Sequence, residues 1–318
     1  MIALDSVKHL KVPKEMAQKE ILKLRKSGYF LEQYEIKKDG QNVLIPVNSN
    51  YEHGESVILE SLKRDVRVQP SGHAGAFDQI GEIAIIHDRR GIDKDRIANS
   101  ILISKPNIRT IYMDKGINGE FRLRELQILR GEDDPVTEYR ENNILMTVNV
   151  KKVYFSPRLS TERLLLSKSV SNGENIFDMF CGLGPVTLNI AKVRNCNIVS
   201  CDINPEAINL LEQNIAKNKL LSNIETLNGD SYKTIKKFDL FDRIIMNNPV
   251  NRYQNLDLVL EHLKNYGILN IYFVEDQEGI GKVMEELKSM NLEIQRKRVV
   301  HGYSTKRSLY SLEFRWLE

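Results

Sequence analysis

Asp178-Met179-Phe180-Cys181-Gly182-Leu183-Gly184-Pro185 is the stretch on which the reading of the fold turns. It closes an apolar run, Asn175–Phe180, that reads as a strand, and opens a helix pattern over Pro185–Val193. Two glycines at a strand-to-helix corner permit a tight turn and let a ligand approach the backbone closely. Counting on from Gly182 and Gly184 puts Thr187 where a dinucleotide fingerprint has its third glycine, which disfavours a pyrophosphate loop. Taken alone, G-x-G carries little weight.

Working outward, strands and helices alternate from about residue 157 onward. Further strands are read at Asn197–Cys201, Asn223–Leu227, Arg243–Met246, Leu269–Phe273, Glu293–Val299 and Leu309–Phe314. Helices are read at Pro205–Asn218, Leu256–Asn265 and Gly279–Met290. This predicts an α/β fold with a largely parallel sheet. The last two strands have no helix between them, and such a closing hairpin marks S-adenosylmethionine (SAM)-dependent methyltransferases rather than dehydrogenases. Asp202 ends the second strand, where a carboxylate can take both ribose hydroxyls, and Asn228-Gly229-Asp230 ends the third, within reach of an adenine. Singly, Asp202 or Asp230 would pass for a loop or cap residue; the ordered set points to a SAM site. The fourth strand ends in Asn247-Asn248-Pro249, a plain turn signal elsewhere but here beside the expected cofactor methyl.

Upstream the chain divides into two smaller segments, which with the Rossmann-like domain gives three: 1–65, 66–155 and 156–318. The first opens with a helix pattern: Pro13 in its first turn, an apolar face of Met16, Ile21, Leu22 and Leu24, and Gly28 at its end. Strand-like pieces at Gln33–Ile36 and Asn42–Val47 flank a K-D-G turn. Lys8, Lys11, Lys14, Lys19, Lys23, Arg25 and Lys26 make this segment basic, which fits either a solvated face or RNA contact. The second begins after Q-P-S-G-H-A-G and reads as an α+β module: strand Ile80–Ile86, helix Lys94–Leu102, strand Arg109–Asp114. In F-R-L-R-E-L-Q-I-L-R-G, Phe121 and Leu123 suit a further strand, with Arg122 and Arg124 on its other face.

At 318 residues with 41% apolar and 28% charged residues, the chain reads as a soluble multidomain protein. No apolar run approaches the roughly 20 residues that span a bilayer, and the N-terminus lacks a secretory signal. The three cysteines, Cys181, Cys196 and Cys201, suit neither a disulfide framework nor a zinc site, so a cytoplasmic, metal-free protein is expected. A net charge of +3 permits a nucleic-acid partner without requiring one.

Four runs together resemble a known family: K-V-Y-F-S-P-R-L-S-T-E-R (Lys152–Arg163), D-M-F-C-G-L-G-P, D-I-N-P-E-A-I-N-L-L-E-Q-N-I-A-K-N-K-L (Asp202–Leu220) and I-M-N-N-P. They are similar to the archaeal and eukaryotic tRNA (guanine-N1)-methyltransferases acting at position 37, beside the anticodon. The likeness continues through F-R-L-R-E-L-Q-I-L-R-G and R-E-N-N and more weakly into the basic segment. It implies tRNA as partner, held at the anticodon loop and, by segment 1–65, at the outer corner, with the enzyme a monomer. It implies Glu162 as general base, Arg122 as support for the target guanine, and Asn247 and Pro249 in the active-site asparagine-proline motif. SAM contacts are implied for Tyr154 and Arg158 in the linker, for Asp178, Phe180, Gly182, Gly184 and Pro185 in the loop, and for Asp202, Ile203, Asn204, Asp230 and Asn247.

By position alone, Glu162 is a carboxylate in a helix's first turn and Arg122 a surface charge. Asn248 departs from the pattern, since the family commonly has an apolar residue there. Competing readings are a wyosine-pathway enzyme that methylates a tricyclic guanine or moves the aminocarboxypropyl group of SAM to it, a non-catalytic tRNA-binding protein on a SAM fold, and a small-molecule methyltransferase. Asn247 and Pro249 argue against aminocarboxypropyl transfer, and Arg122, Glu162 and Asn247 together against a non-catalytic protein. The basic N-terminal segment argues against a small-molecule enzyme.

Overall fold

A computed structural model describes residues 4–31, 34–62, 77–87, 93–249, 254–304 and 306–317. The chain forms two compact units, Met1–His73 and Ala74–Glu318.

The first unit holds strand β1 (Leu4–Pro13), helix α1 (Ala17–Lys26), and strands β2 (Lys37–Asp39), β3 (Asn42–Pro46) and β4 (Ser56–Leu62). The strands form an antiparallel sheet in the order β2-β3-β1-β4. Leu24 of α1 closes a small core with Leu10, Val12, Ile45, Val47 and Tyr51. The sequence reading needs correction here. Pro13 ends a strand instead of starting the helix, because Val7, Leu10 and Val12 bury against the sheet while the intervening lysines mask the pattern. Met16 and Leu22 are exposed, so the helix's buried face is narrower than expected. Gly28, at φ +75°, follows the helix end as expected. Glu35 and Ile36 precede the strand, which begins at Lys37; Gln33 and the Q-P-S-G-H-A-G stretch lie outside the described residues.

The second unit opens with β5 (Phe77–Ile80), β6 (Ile83–His87), α2 (Lys94–Ser104), β7 (Thr110–Asn118) and β8 (Leu123–Gly131), a four-stranded sheet in that strand order. Helix α2 covers one face, packing Ala98 and Ile101 on Ala84, Ile86 and Ile111. A hairpin follows, β9 (Val136–Glu141) and β10 (Ile144–Asn149), turned by Asn142 and Asn143, both at positive φ. Asparagine tolerates that conformation, which a two-residue hairpin requires. Phe121 and Arg122 fall in the turn before β8 and not on the strand.

The chain then forms α3 (Ser160–Ser169), β11 (Asn175–Asp178), α4 (Pro185–Val193), β12 (Asn197–Asp202), α5 (Pro205–Lys217), β13 (Asn223–Asn228), α6 (Ser231–Thr234) and β14 (Phe241–Met246). It continues through α7 (Leu256–Leu260), β15 (Leu263–Glu275), α8 (Gln277–Ser289), β16 (Leu292–Gly302) and β17 (Ser308–Trp316). The seven strands run β13-β12-β11-β14-β15-β17-β16, with β11 to β15 parallel and β17 antiparallel to both neighbours. The closing hairpin is therefore as expected for a SAM-dependent methyltransferase. Helix α7 stops at Leu260 and not at Asn265, because the chain turns into β15, where Leu263 pairs with Phe241.

Ile80, Ile83, Ile85 and Tyr112 on the other face of the four-stranded sheet share one core with Ile144, Met146 and Val148 of the hairpin. The same core includes Leu188 of α4 and Ala207, Leu210 and Leu211 of α5. The middle sheet is thus packed into the same hydrophobic body as the cofactor-loop helices.

Candidate active site

The carboxyl ends of β11, β12 and β14 open onto one cavity. Its floor is the glycine loop. Gly182 stands at φ +55° and Gly184 at φ +88°, conformations that L side chains avoid. A Cβ on Gly184 would also clash with Leu211 Cδ1. The Gly182 amide donates to Asp202 Oδ2 at 2.7 Å and the Asn204 amide to Oδ1 at 2.9 Å. Two backbone donors thus aim the Asp202 carboxylate at the cavity edge. Asn204 is itself fixed, capping α5 through Glu206 and donating to the Lys152 carbonyl at 2.8 Å, which ties the linker to the loop. Phe180, Pro185 and the 40%-exposed Ile203 supply apolar wall for a base or thioether.

Beneath the loop, Asp178 is 1% exposed and accepts from Thr187 Oγ1 at 2.9 Å. Thr187, in the slot of the missing third glycine, is thus used to brace a buried carboxyl. Burial, with Asp202 nearby, raises Asp178 to about 7. The folded chain therefore binds that proton more tightly than the unfolded chain. Its stabilising contribution is complete below the normal carboxylate range and is lost as pH rises through about 7.

The opposite wall is assembled from distant segments. Arg122 ends the β7–β8 turn at φ +54°, a strained conformation for arginine. Its guanidinium lies 5.7 Å from the Tyr154 ring centre and reaches Asn248 Oδ1 at 3.4 Å. Arg122 and Tyr154 line the cavity with Asn247, Asn248 and Pro249. Arg124 is buried between Asp114 (2.9 Å) and Asp78 (3.2 Å), its guanidinium 5.5 Å from the same Tyr154 ring centre.

Among the described residues, five sequence candidates lie off the cavity wall: Arg158, Glu162, Asp178, Gly184 and Asp230. Arg158 Nε donates to Asp78 Oδ1 at 2.7 Å, joining the linker to the middle sheet through a cluster with His87, Asp114 and Arg124. Asp114 and Asp78 raise His87 to about 9. Burial alone would raise Asp78, but His87, Arg158 and Arg124 hold it far below the usual carboxylate range. Asp230 caps α6 through the Tyr232 amide. Glu162 is 4% exposed and is held by Arg298 and the Tyr272 hydroxyl, while its neighbours Leu159 and Arg163 do line the cavity.

Arg163 forms a two-pronged ion pair with Glu141, both buried, and the R-E-N-N turn completes the brace. Asn189 Nδ2 reaches Glu141 at 3.0 Å, and Asn142 Nδ2 reaches the Ser160 carbonyl at 3.2 Å. Removing one partner of such a buried pair costs about 3–5 kcal/mol. The hairpin thereby fixes the start of α3, and with it Glu162. Sequence reasoning places Phe121 only on a strand and does not single out Arg298, His301 or Tyr303. No pattern signal marks Arg298: bulges at Ile294/Arg296 and Val299/His301 break the alternation of β16, so that Arg298, opposite Ser311, lies on the other face from Leu292 and Ile294, opposite Trp316 and Phe314.

Comparison with known proteins agrees with this architecture. Residues 137–302 match the TRM5/TYW2 methyltransferase domain, residues 60–134 the TYW2 N-terminal domain and residues 10–55 the tRNA methyltransferase 5 N-terminal domain. The tRNA (guanine(37)-N(1))-methyltransferase Trm5b of Pyrococcus abyssi is 33% identical, over 96% of this chain and 98% of its own. The tRNA (guanine(37)-N(1))/4-demethylwyosine(37)-methyltransferase Taw22 of Nanoarchaeum equitans is 36% identical over 67% of this chain and 71% of its own. A solved complex of aTrm5 with tRNALeu has a TM-score of 0.70 at 26% identity, covering 97% of this chain and 99% of that one. With a matching family model over more than half its length and a relative aligned almost end to end, the chain belongs to the TRM5/TYW2 methyltransferase family.

Proposed function

We infer that this protein transfers the methyl group of SAM to N1 of guanosine at position 37 of tRNA. The observation that carries the reading is one cavity bounded on one side by the glycine loop and Asp202, and on the other by Arg122, Tyr154 and the Asn247–Pro249 corner. Near-full-length similarity to a tRNA (guanine(37)-N(1))-methyltransferase supports it.

The loop fits SAM by its own chemistry. Left-handed Gly182 leaves the backbone bare beside the cavity, and Asp202, braced by two amides, offers a carboxylate to a ribose diol. Bound SAM supplies an electrophilic methyl carbon, whose bond to sulfur breaks with its electron pair as the bond to nitrogen forms. Neutral guanine carries a proton on N1, so its lone pair is free only when a base takes that proton. We assign this to Glu162. Arg122, with Asn247, would donate to O6, where negative charge gathers as the proton leaves. The Tyr154 ring beside Arg122 offers an apolar face for a base turned out of the loop stack. We assign tRNA docking to the first unit, whose α1 carries Lys19, Lys23, Arg25 and Lys26.

The test is nucleoside analysis after incubation with SAM and a tRNA transcript bearing guanosine 37. N1-methylguanosine is the expected product. Label entering only a tRNA already converted to a tricyclic base at that position would replace this reading with the wyosine-pathway one.

A further inference from the structure

Glu162, assigned above as the base, is already held by three donors. Arg298 approaches side-on from β16, Nη2 to Oε1 at 2.7 Å and Nε to Oε2 at 3.0 Å. The Tyr272 hydroxyl, from β15, donates to Oε1 at 3.1 Å. A carboxylate has about four in-plane acceptor positions, two on each oxygen. Oε1 is therefore filled, and Oε2 keeps one.

The other groups near the carboxylate do not change this count. On β17, Ser311 bonds to the Tyr272 hydroxyl, and on α3 itself the Arg163 charge is taken by Glu141. Leu159, Arg163 and Val274, close in sequence to Glu162 or Tyr272, all line the cavity, so Glu162 stands just behind its wall. Catalytic hydrogen bonds that are long or absent before substrate arrives commonly tighten in the complex.

We propose that Arg298 and Tyr272 are positioning residues that make Oε2 of Glu162 the proton-accepting atom. This rests on the assignment of Glu162 as the base. In the step itself the N1–H bond breaks, its proton passes to Oε2 and its electron pair stays on N1 to bond the methyl carbon. The proton then leaves Glu162 to solvent.

The experiment measures single-turnover methyl transfer to a guanosine-37 transcript from pH 5 to 9 at saturating SAM, with equilibrium SAM binding in parallel. Removing an adjacent cation raises a carboxylate's midpoint. Arg298→Met is therefore expected to move the acid limb of the profile upward, so that its deficit grows as pH falls and is largest at pH 5. SAM affinity should remain within about twofold, since no SAM-facing group changes. Arg298→Lys should fall between the two, and Tyr272→Phe should shift the limb less, in the same direction. An equal loss at every pH with an unmoved midpoint, or no loss, overturns the proposal. Should Arg298→Met fail to bind SAM, Arg298→Lys and Tyr272→Phe decide on the same criterion. Full activity in Glu162→Gln would sink the base assignment and this proposal together. Loss in Glu162→Gln with an unmoved midpoint in the arginine variants sinks the positioning role alone.

Discussion

On the glycine-loop side of the cavity, the shape comes from backbone turns lying close together between Asp178 and Asn204, tied together by amide hydrogen bonds to Asp202. The facing wall draws Arg122 from a β-turn, Tyr154 from a linker, Asn247 from the end of β14 and His301 from β16. Side chains do the work there, and behind them Glu141 holds the cavity-lining Arg163 while Arg298 holds Glu162. The first side is stabilised locally and should tolerate change elsewhere in the chain. The second depends on packing across the whole unit, so remote substitutions should reach it.

The largest expected effect tests the side-chain wall. Glu162→Gln should slow transfer by about 10²- to 10⁴-fold, the usual contribution of a general base, with SAM affinity unchanged by calorimetry. A matching loss of SAM affinity would move Glu162 to the other side of the comparison. Next, Asp202→Ala should weaken SAM binding by roughly 10- to 100-fold, the value of a charge-assisted hydrogen bond or two, and should leave the single-turnover rate at saturation nearly intact. A rate collapse at saturation would show that the two walls are not separable.

Gly184→Ala should lower stability by about 1–3 kcal/mol, from left-handed strain and the clash with Leu211, read as a fall in Tm. Gly182→Ala, strained in φ but with nothing within 4 Å, should cost less. Equal losses would mean that packing against α5 contributes little. The smallest effect concerns protons. SAM carries one more positive charge than its demethylated product and so favours ionised Asp178, which titrates near 7. SAM affinity should therefore rise from pH 6 to 8 by more than product affinity does. Parallel pH dependences would remove Asp178 from the cofactor's electrostatics.

The difference between the walls also explains what the sequence made legible. Gly182, Gly184, Asp202 and the closing hairpin could be read because strand-to-helix turns and element order are local properties. Arg122 and Glu162 were reached through family resemblance, and position alone would have left both as surface or cap residues. Arg298 escaped notice because its partner is far away in sequence and joined to it only by sheet order. Arg158 was read as a cofactor contact, whereas its guanidinium is spent on Asp78, an interaction no spacing rule encodes. The start of the chain was misread for a local reason: Lys8 and Lys11 interrupt the alternation that would have revealed β1.

The core shared by the middle sheet, the β9–β10 hairpin and helices α4 and α5 has a historical consequence. A segment with its own sealed interior can move between genes as a cassette, keeping its fold wherever it lands. Residues 77–149 seal one face of their sheet themselves, under α2, while the other is finished by the β9–β10 hairpin only together with the cofactor-loop helices. The turn that carries Arg122 is thus tied to those helices, because any transplant would arrive with one face of its core exposed.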